Sequence, residues 1–122
     1  MSKEVSVTLK LGVENGVVSA SRNTGSVFSD QETVGAYGAI QPVGFATHEV
    51  IDDGSITSKG MVFIRNLDAV NFVDIGIVNV SFYATIKLNP NEFACFPAAI
   101  SGSLYLKADT AAVNVEILIF EA

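Results

Sequence analysis

Val113-Asn114-Val115-Glu116-Ile117-Leu118-Ile119-Phe120 is the stretch that decides the fold. Val113, Val115, Ile117 and Ile119 recur every second residue, the period of a β-strand with one face in a core. Leu118 and Phe120 place apolar side chains on the opposite face as well. A strand that is apolar on both sides is covered on both sides. The cover is either a second layer of the same domain or a neighbouring subunit.

The same period runs back along the chain. Phe82, Ala84, Ile86 and Leu88 alternate with Tyr83, Thr85 and Lys87, and Ile75 and Ile77 alternate around Gly76 within a strand predicted over Val73 to Val78. Met61 to Ile64 is a short apolar strand that ends at the turn Asn66-Leu67-Asp68. Asn89-Pro90-Asn91 turns the chain into Glu92 to Phe96, and Ser101-Gly102-Ser103 precedes a strand at Leu104 to Ala108. Val5, Val7, Leu9, Leu11 and Val13 form the opening strand. Asn15-Gly16, a pair suited to the positive φ of a tight hairpin, leads to a return strand over Val17 to Ser21. Strand-like segments also fill Ile40 to Ile51, where Pro42 argues for an edge or a bulge.

No sustained helical stripe occurs. Eight or nine short strands separated by turn residues predict a single all-β domain over residues 1–122. The expected form is an antiparallel two-sheet sandwich, jelly-roll-like, with a small β-barrel as the alternative. Arg22 to Gly38, rich in Gly, Ser, Thr, Asn and Asp, reads as a long polar loop or arm with one short strand near Val27-Phe28.

Composition narrows the function. Hydrophobic residues make up 49% of the chain and charged residues 16%, against roughly 25% charge in typical soluble domains. So apolar a surface predicts contacts between subunits, hence a homo-oligomer. The net charge is −6, and the seven Lys and Arg are scattered singly. Without a basic stripe to displace counterions from phosphates, no direct nucleic-acid partner is expected. No apolar stretch of about 18 residues is present to span a membrane, and no signal-peptide core is visible at the N-terminus.

Candidate chemistry is thin. His48 is the one histidine and lies in His48-Glu49-Val50-Ile51-Asp52-Asp53. That grouping could in principle hold a metal, but adjacent strand residues face opposite ways and Asp52-Asp53-Gly54 reads as a turn. Asp68 and Asp74 read as solvated turn residues rather than an acid-base pair. Cys95, inside Phe93-Ala94-Cys95-Phe96, reads as a small buried hydrophobe. Asn79-Val80-Ser81 matches the glycosylation acceptor pattern by coincidence, and Gly35-Ala36-Tyr37-Gly38 lacks the spacing of a phosphate loop. The expectation is therefore a non-enzymatic protein with no catalytic residue, no cofactor and no metal.

Four segments recur in one order in the second half. They are Phe63-Ile64-Arg65-Asn66-Leu67-Asp68, Asn71-Phe72-Val73-Asp74-Ile75-Gly76, Lys87-Leu88-Asn89-Pro90-Asn91-Glu92 and Leu104-Tyr105-Leu106-Lys107-Ala108-Asp109-Thr110-Ala111. Over about residues 59–122 the chain resembles a group of small virion proteins of tailed bacteriophages. Asn91 stands where that family more often has glycine. The resemblance implies a virion protein made in the host bacterial cytoplasm, most simply a capsid decoration (cement) protein. It would act as a homo-oligomer, trimer favoured, and contact the major capsid protein or another virion protein. A tail or fibre component, or a receptor- or glycan-binding module, is the alternative. Leu118, Phe120, Val27, Phe28 and Tyr37 are the candidate interface residues, and the 22–38 segment is the candidate arm.

Overall fold

The computed structural model describes residues 5–29, 35–98 and 103–121. Residues 30–34 of the expected loop and the turn expected at Ser101-Gly102 lie outside the described residues. The chain divides into two compact units, residues 1–33 and 34–122.

The first unit is a two-stranded antiparallel ribbon, β1 (Val5–Asn15) paired with β2 (Val18–Ser29). Asn15 pairs with Val18, so Gly16 and Val17 form a two-residue hairpin loop. Gly16 has φ +57, the angle that glycine supplies there without steric cost. The loop expected from Arg22 onward is thus replaced by strand as far as Ser29. Its polar residues gain strand conformation from pairing with β1 rather than from their own propensity. The register shifts between Thr8 and Lys10, which pair with Ser26 and Asn23. Opposite Leu9, Thr24 and Gly25 make the bulge, with Gly25 at φ +62. Thr24 Oγ1 accepts from Leu9 N at 3.1 Å, and Asn23 Oδ1 accepts from Gly25 N at 2.9 Å.

The described residues of the second unit form eight strands: β3 (Ala36–Val43), β4 (Glu49–Val50), β5 (Lys59–Asn66), β6 (Val73–Asn79), β7 (Ser81–Leu88), β8 (Phe93–Pro97), β9 (Tyr105–Ala108) and β10 (Val113–Glu121). They form two antiparallel four-stranded sheets, ordered β3-β10-β5-β8 and β4-β9-β6-β7. The first four strands pair with the last four in reverse: β3 with β10, β4 with β9, β5 with β8 and β6 with β7. A long hairpin folded over on itself gives this order, and it is jelly-roll connectivity. The sheets face each other as an open sandwich and do not close into a barrel. Pro42 lies on β3, an edge strand, where its missing N–H leaves no ladder bond unmade.

The core lies between the sheets. Val62, Ile64, Val115, Ile117 and Ile119 from one sheet meet Val73, Ile75, Leu88 and Leu106 from the other. The period-two reading of the last strand holds: Val113, Val115, Ile117 and Ile119 are all buried. Asn66 is the one buried polar residue among those described, at 0% exposure. Gly76 lies beside a bulge in β7, where Thr85 is the extra residue, and a Cβ there would collide with the Tyr83 carbonyl. No described helix is long and apolar enough to cross a membrane.

Two expectations need correction. Cys95 is exposed, not buried, because its register opposite Phe63 turns it away from the core. Asp74 is no turn residue. It sits inside β6, opposite Lys87 on one side and Lys107 on the other.

Candidate assembly surface

Both sheets present charged and apolar rows outward: the second sheet carries Val50, Tyr105, Gly76 and Ala84 in one row beside a charged one. On the β4-β9-β6-β7 sheet, Asp74, Lys87 and Lys107 form a cross-strand charged row, and such rows of opposite charge suit a solvated surface. Burial raises the Asp74 carboxyl above its ordinary range against the pull of both lysines. Lys87 Nζ also lies 4.1 Å above the centre of the Phe72 ring.

The outer side of the β3-β10-β5-β8 sheet is apolar. Register aligns Gly38, Leu118, Phe63 and Cys95 across its four strands. The next row is Ile40, Glu116, Arg65 and Phe93, and Phe120 opposite Ala36 extends the face. Leu118 is 37% exposed, Phe93 59% and Ile40 64%. Gly38 has no side chain to compete with Leu118, whose Cδ1 would meet an added Cβ at 3.5 Å. The Phe63 and Phe93 rings lie 6.2 Å apart, centre to centre. Among the described residues of this unit, no second layer covers the face. An exposed apolar area of this kind marks a contact surface.

The charges within that face are sparse. Arg65 turns away from Glu116, and its guanidinium donates to Asn91 Oδ1 at 2.8 Å. Arg65 Nε is buried without an acceptor. Glu116 makes no ion pair among the described residues; the one recorded joins Lys59 to Asp53 at 3.0 Å.

Of the five residues read from sequence as interface, Leu118, Phe120 and Tyr37 lie in the second unit and Val27 and Phe28 in the first. Leu118 and Phe120 share the outer face. Tyr37, opposite Ile119, takes the other side of β3, where its hydroxyl donates to Asp52 Oδ2 at 2.8 Å. That bond holds the Tyr37 phenol above its ordinary pKa. Val27 and Phe28 belong to the ribbon and, as strand neighbours, point to opposite faces of it. Val27 joins Val7, Leu9, Leu11 and Val13 on the apolar face, and Phe28 lies opposite Ser6 on the polar one. The sequence reading missed Phe63, Phe93 and Ile40, which only strand register brings beside Leu118.

The residues weighed for chemistry are engaged as follows. His48 stacks on Phe82 at 5.7 Å and meets the edge of Tyr105 at 5.4 Å. Glu49 accepts from the Gly44 amide. Asp52 and Asp53 accept from Gly54 N and Ser55 N, as turn carboxylates do. Asp68 Oδ2 accepts from Val70 N at 2.9 Å and Asn71 N at 2.6 Å. These donors hold its carboxyl below the usual range. Among the described residues, no three His, Cys, Asp or Glu side chains gather as a metal site would require.

No family model matches the chain, and no curated protein or solved structure matches it either. The jelly-roll connectivity alone does not choose a function, since capsid proteins, lectins and cupins all use it.

Proposed function

We propose that the protein is a non-enzymatic structural component of a bacteriophage particle. It works by assembling with copies of itself through the outer face of the β3-β10-β5-β8 sheet. The observation that carries this reading is the apolar row Gly38-Leu118-Phe63-Cys95 on that outer face, extended by Phe120 and Phe93. A second copy is the occupant because the whole chain is short of charge, 16% of its residues, and a lasting subunit contact accounts for that shortage.

The resemblance over residues 59–122 supplies the setting. A capsid decoration protein, trimeric and seated on the major capsid protein, is the form it favours. The recurring segments are strand ends and turns that brace the sandwich, so they mark a shared scaffold and carry no chemistry. A receptor- or glycan-binding module at a tail or fibre is the second reading. His48, Phe82 and Tyr105 are the aromatic group that favours it.

The test is to purify particles made by the genome that encodes this chain and identify their proteins by peptide mass spectrometry. The expected result is the chain in the particle fraction, at a stoichiometry comparable with that of the shell subunit. Finding it only in the soluble fraction would contradict the reading.

A further inference from the structure

Alternation gives the β1–β2 ribbon one apolar face: Val7, Leu9, Leu11 and Val13, with Val27 and Ala20 opposite. Leu11 is 65% exposed and Val27 61%. A two-stranded ribbon is marginally stable on its own and gains stability when such a face is covered. A shallow hollow on it is lined by Leu11, Val13, Ala20, Ser21 and Arg22. Arg22, opposite Leu11, is the one charge paired onto this face. Its guanidinium donates only to the neighbouring Ser21 carbonyl, at 2.8 Å.

Resting on the self-assembly reading above, we infer that the apolar face of the β1–β2 ribbon of one copy covers the outer β3-β10-β5-β8 face of the next copy, with Arg22 opposing Glu116. Three observations point to this occupant. Among the described residues, the ribbon carries a cation with no ion pair in an apolar face, and the sheet carries an anion with no ion pair in another. The dimensions agree: Val5 to Val13 extends about 27 Å, and the eight residues of β5 about 24 Å. A symmetric contact, ribbon on ribbon or sheet on sheet, would oppose like surfaces and stop at two copies. The ribbon-on-sheet contact is heterologous, so repetition builds a closed ring or an open filament rather than stopping at two copies. A trimer is one such ring.

Self-association of the full chain is measured by sedimentation equilibrium for wild type, Arg22→Glu, Glu116→Arg, the double reversal, Leu11→Asp and Leu118→Glu. Far-UV circular dichroism confirms that each variant is folded. Each single reversal is expected to weaken association roughly tenfold, and the double reversal to restore it. Leu11→Asp and Leu118→Glu are both expected to leave monomers. If Leu118→Glu dissociates the assembly while Arg22→Glu and Leu11→Asp do not, the ribbon is not the occupant, although the sheet face remains an interface. Failure of the double reversal to restore association also overturns the Arg22–Glu116 pairing. A wild-type chain that stays monomeric removes both this inference and the assembly reading beneath it.

Discussion

Asn66 Nδ2 donates to the Leu88 carbonyl at 3.0 Å and so ties the end of β5 in one sheet to the end of β7 in the other. The same amide nitrogen donates to the Asn71 carbonyl at 2.9 Å, and Asn66 Oδ1 accepts from Asp68 N at 2.9 Å. The backbone of Asn66 completes the junction, donating to Glu92 O and accepting from Asn91 N, each at 3.0 Å. Two of the recurring segments, around Asn66 and Asn91, therefore meet in space. Asn66→Ala leaves these polar partners without bonds inside the protein and is expected to cost about 3 kcal/mol. Urea denaturation checks this, and a loss below about 1 kcal/mol would contradict the junction's role.

Asn91 has φ +68 in the turn closed by Glu92 N donating to Asn89 O at 3.0 Å. With Pro90 before it, this is the position of a type II turn that demands a left-handed residue. Asparagine tolerates that region and glycine adopts it freely. Asn91→Ala is expected to destabilise by about 1–2 kcal/mol, while Asn91→Gly stays within about 1 kcal/mol of wild type. Equal stabilities of the alanine and glycine variants would refute the turn assignment.

Stability should fall in acid through two carboxylates. Asp68 is held below its ordinary range by the Asn71 and Val70 amides. For Asp53, burial pushes the carboxyl up, but the Lys59 contact and the Ser55 amide outweigh it and the net shift is downward. A depressed folded pKa means that folding favours the charged form. The stabilisation is therefore present above the unfolded value, near 3.8, and is lost as pH falls through the folded value. Thermal melts from pH 6 down to about 2 are expected to show this acid limb, with a shallower slope in Asp68→Asn. An unchanged slope in that variant would exclude Asp68 as a contributor.

Cys95 reports on the proposed interface. It sits opposite Phe63 on the outer face, where desolvation by its neighbours raises the thiol pKa. Maleimide labelling is expected to be slow in concentrated protein and to quicken on dilution as the face is uncovered. Equal labelling rates above and below the association midpoint would place the contact elsewhere.

Much of the fold was legible because burial imposes its period on sequence. Val113, Val115, Ile117 and Ile119 alternate so cleanly that the strand and its buried face follow at once. Arg22 to Ser29 hid its strand because Ser, Thr, Gly and Asn have little strand preference. Pairing with β1 supplies the conformation, and pairing is not local. Cys95 was misread because Phe93-Ala94-Cys95-Phe96 is apolar throughout, and only the register against Phe63 assigns its face. Asp74 looked like a turn residue for want of its cross-strand lysines. The proposed assembly surface was half legible: Leu118 and Phe120 announced an apolar outer side, while Phe63, Phe93 and Ile40 joined it only through sheet order.

The central claim, that this chain works by assembling with itself through an apolar sheet face, meets its most direct test in the native mass. Light scattering coupled to size exclusion at several concentrations should give a multiple of the 12.9 kDa chain mass, a threefold multiple for the trimer, in the wild-type protein. A mass of one chain across the whole micromolar range would contradict it.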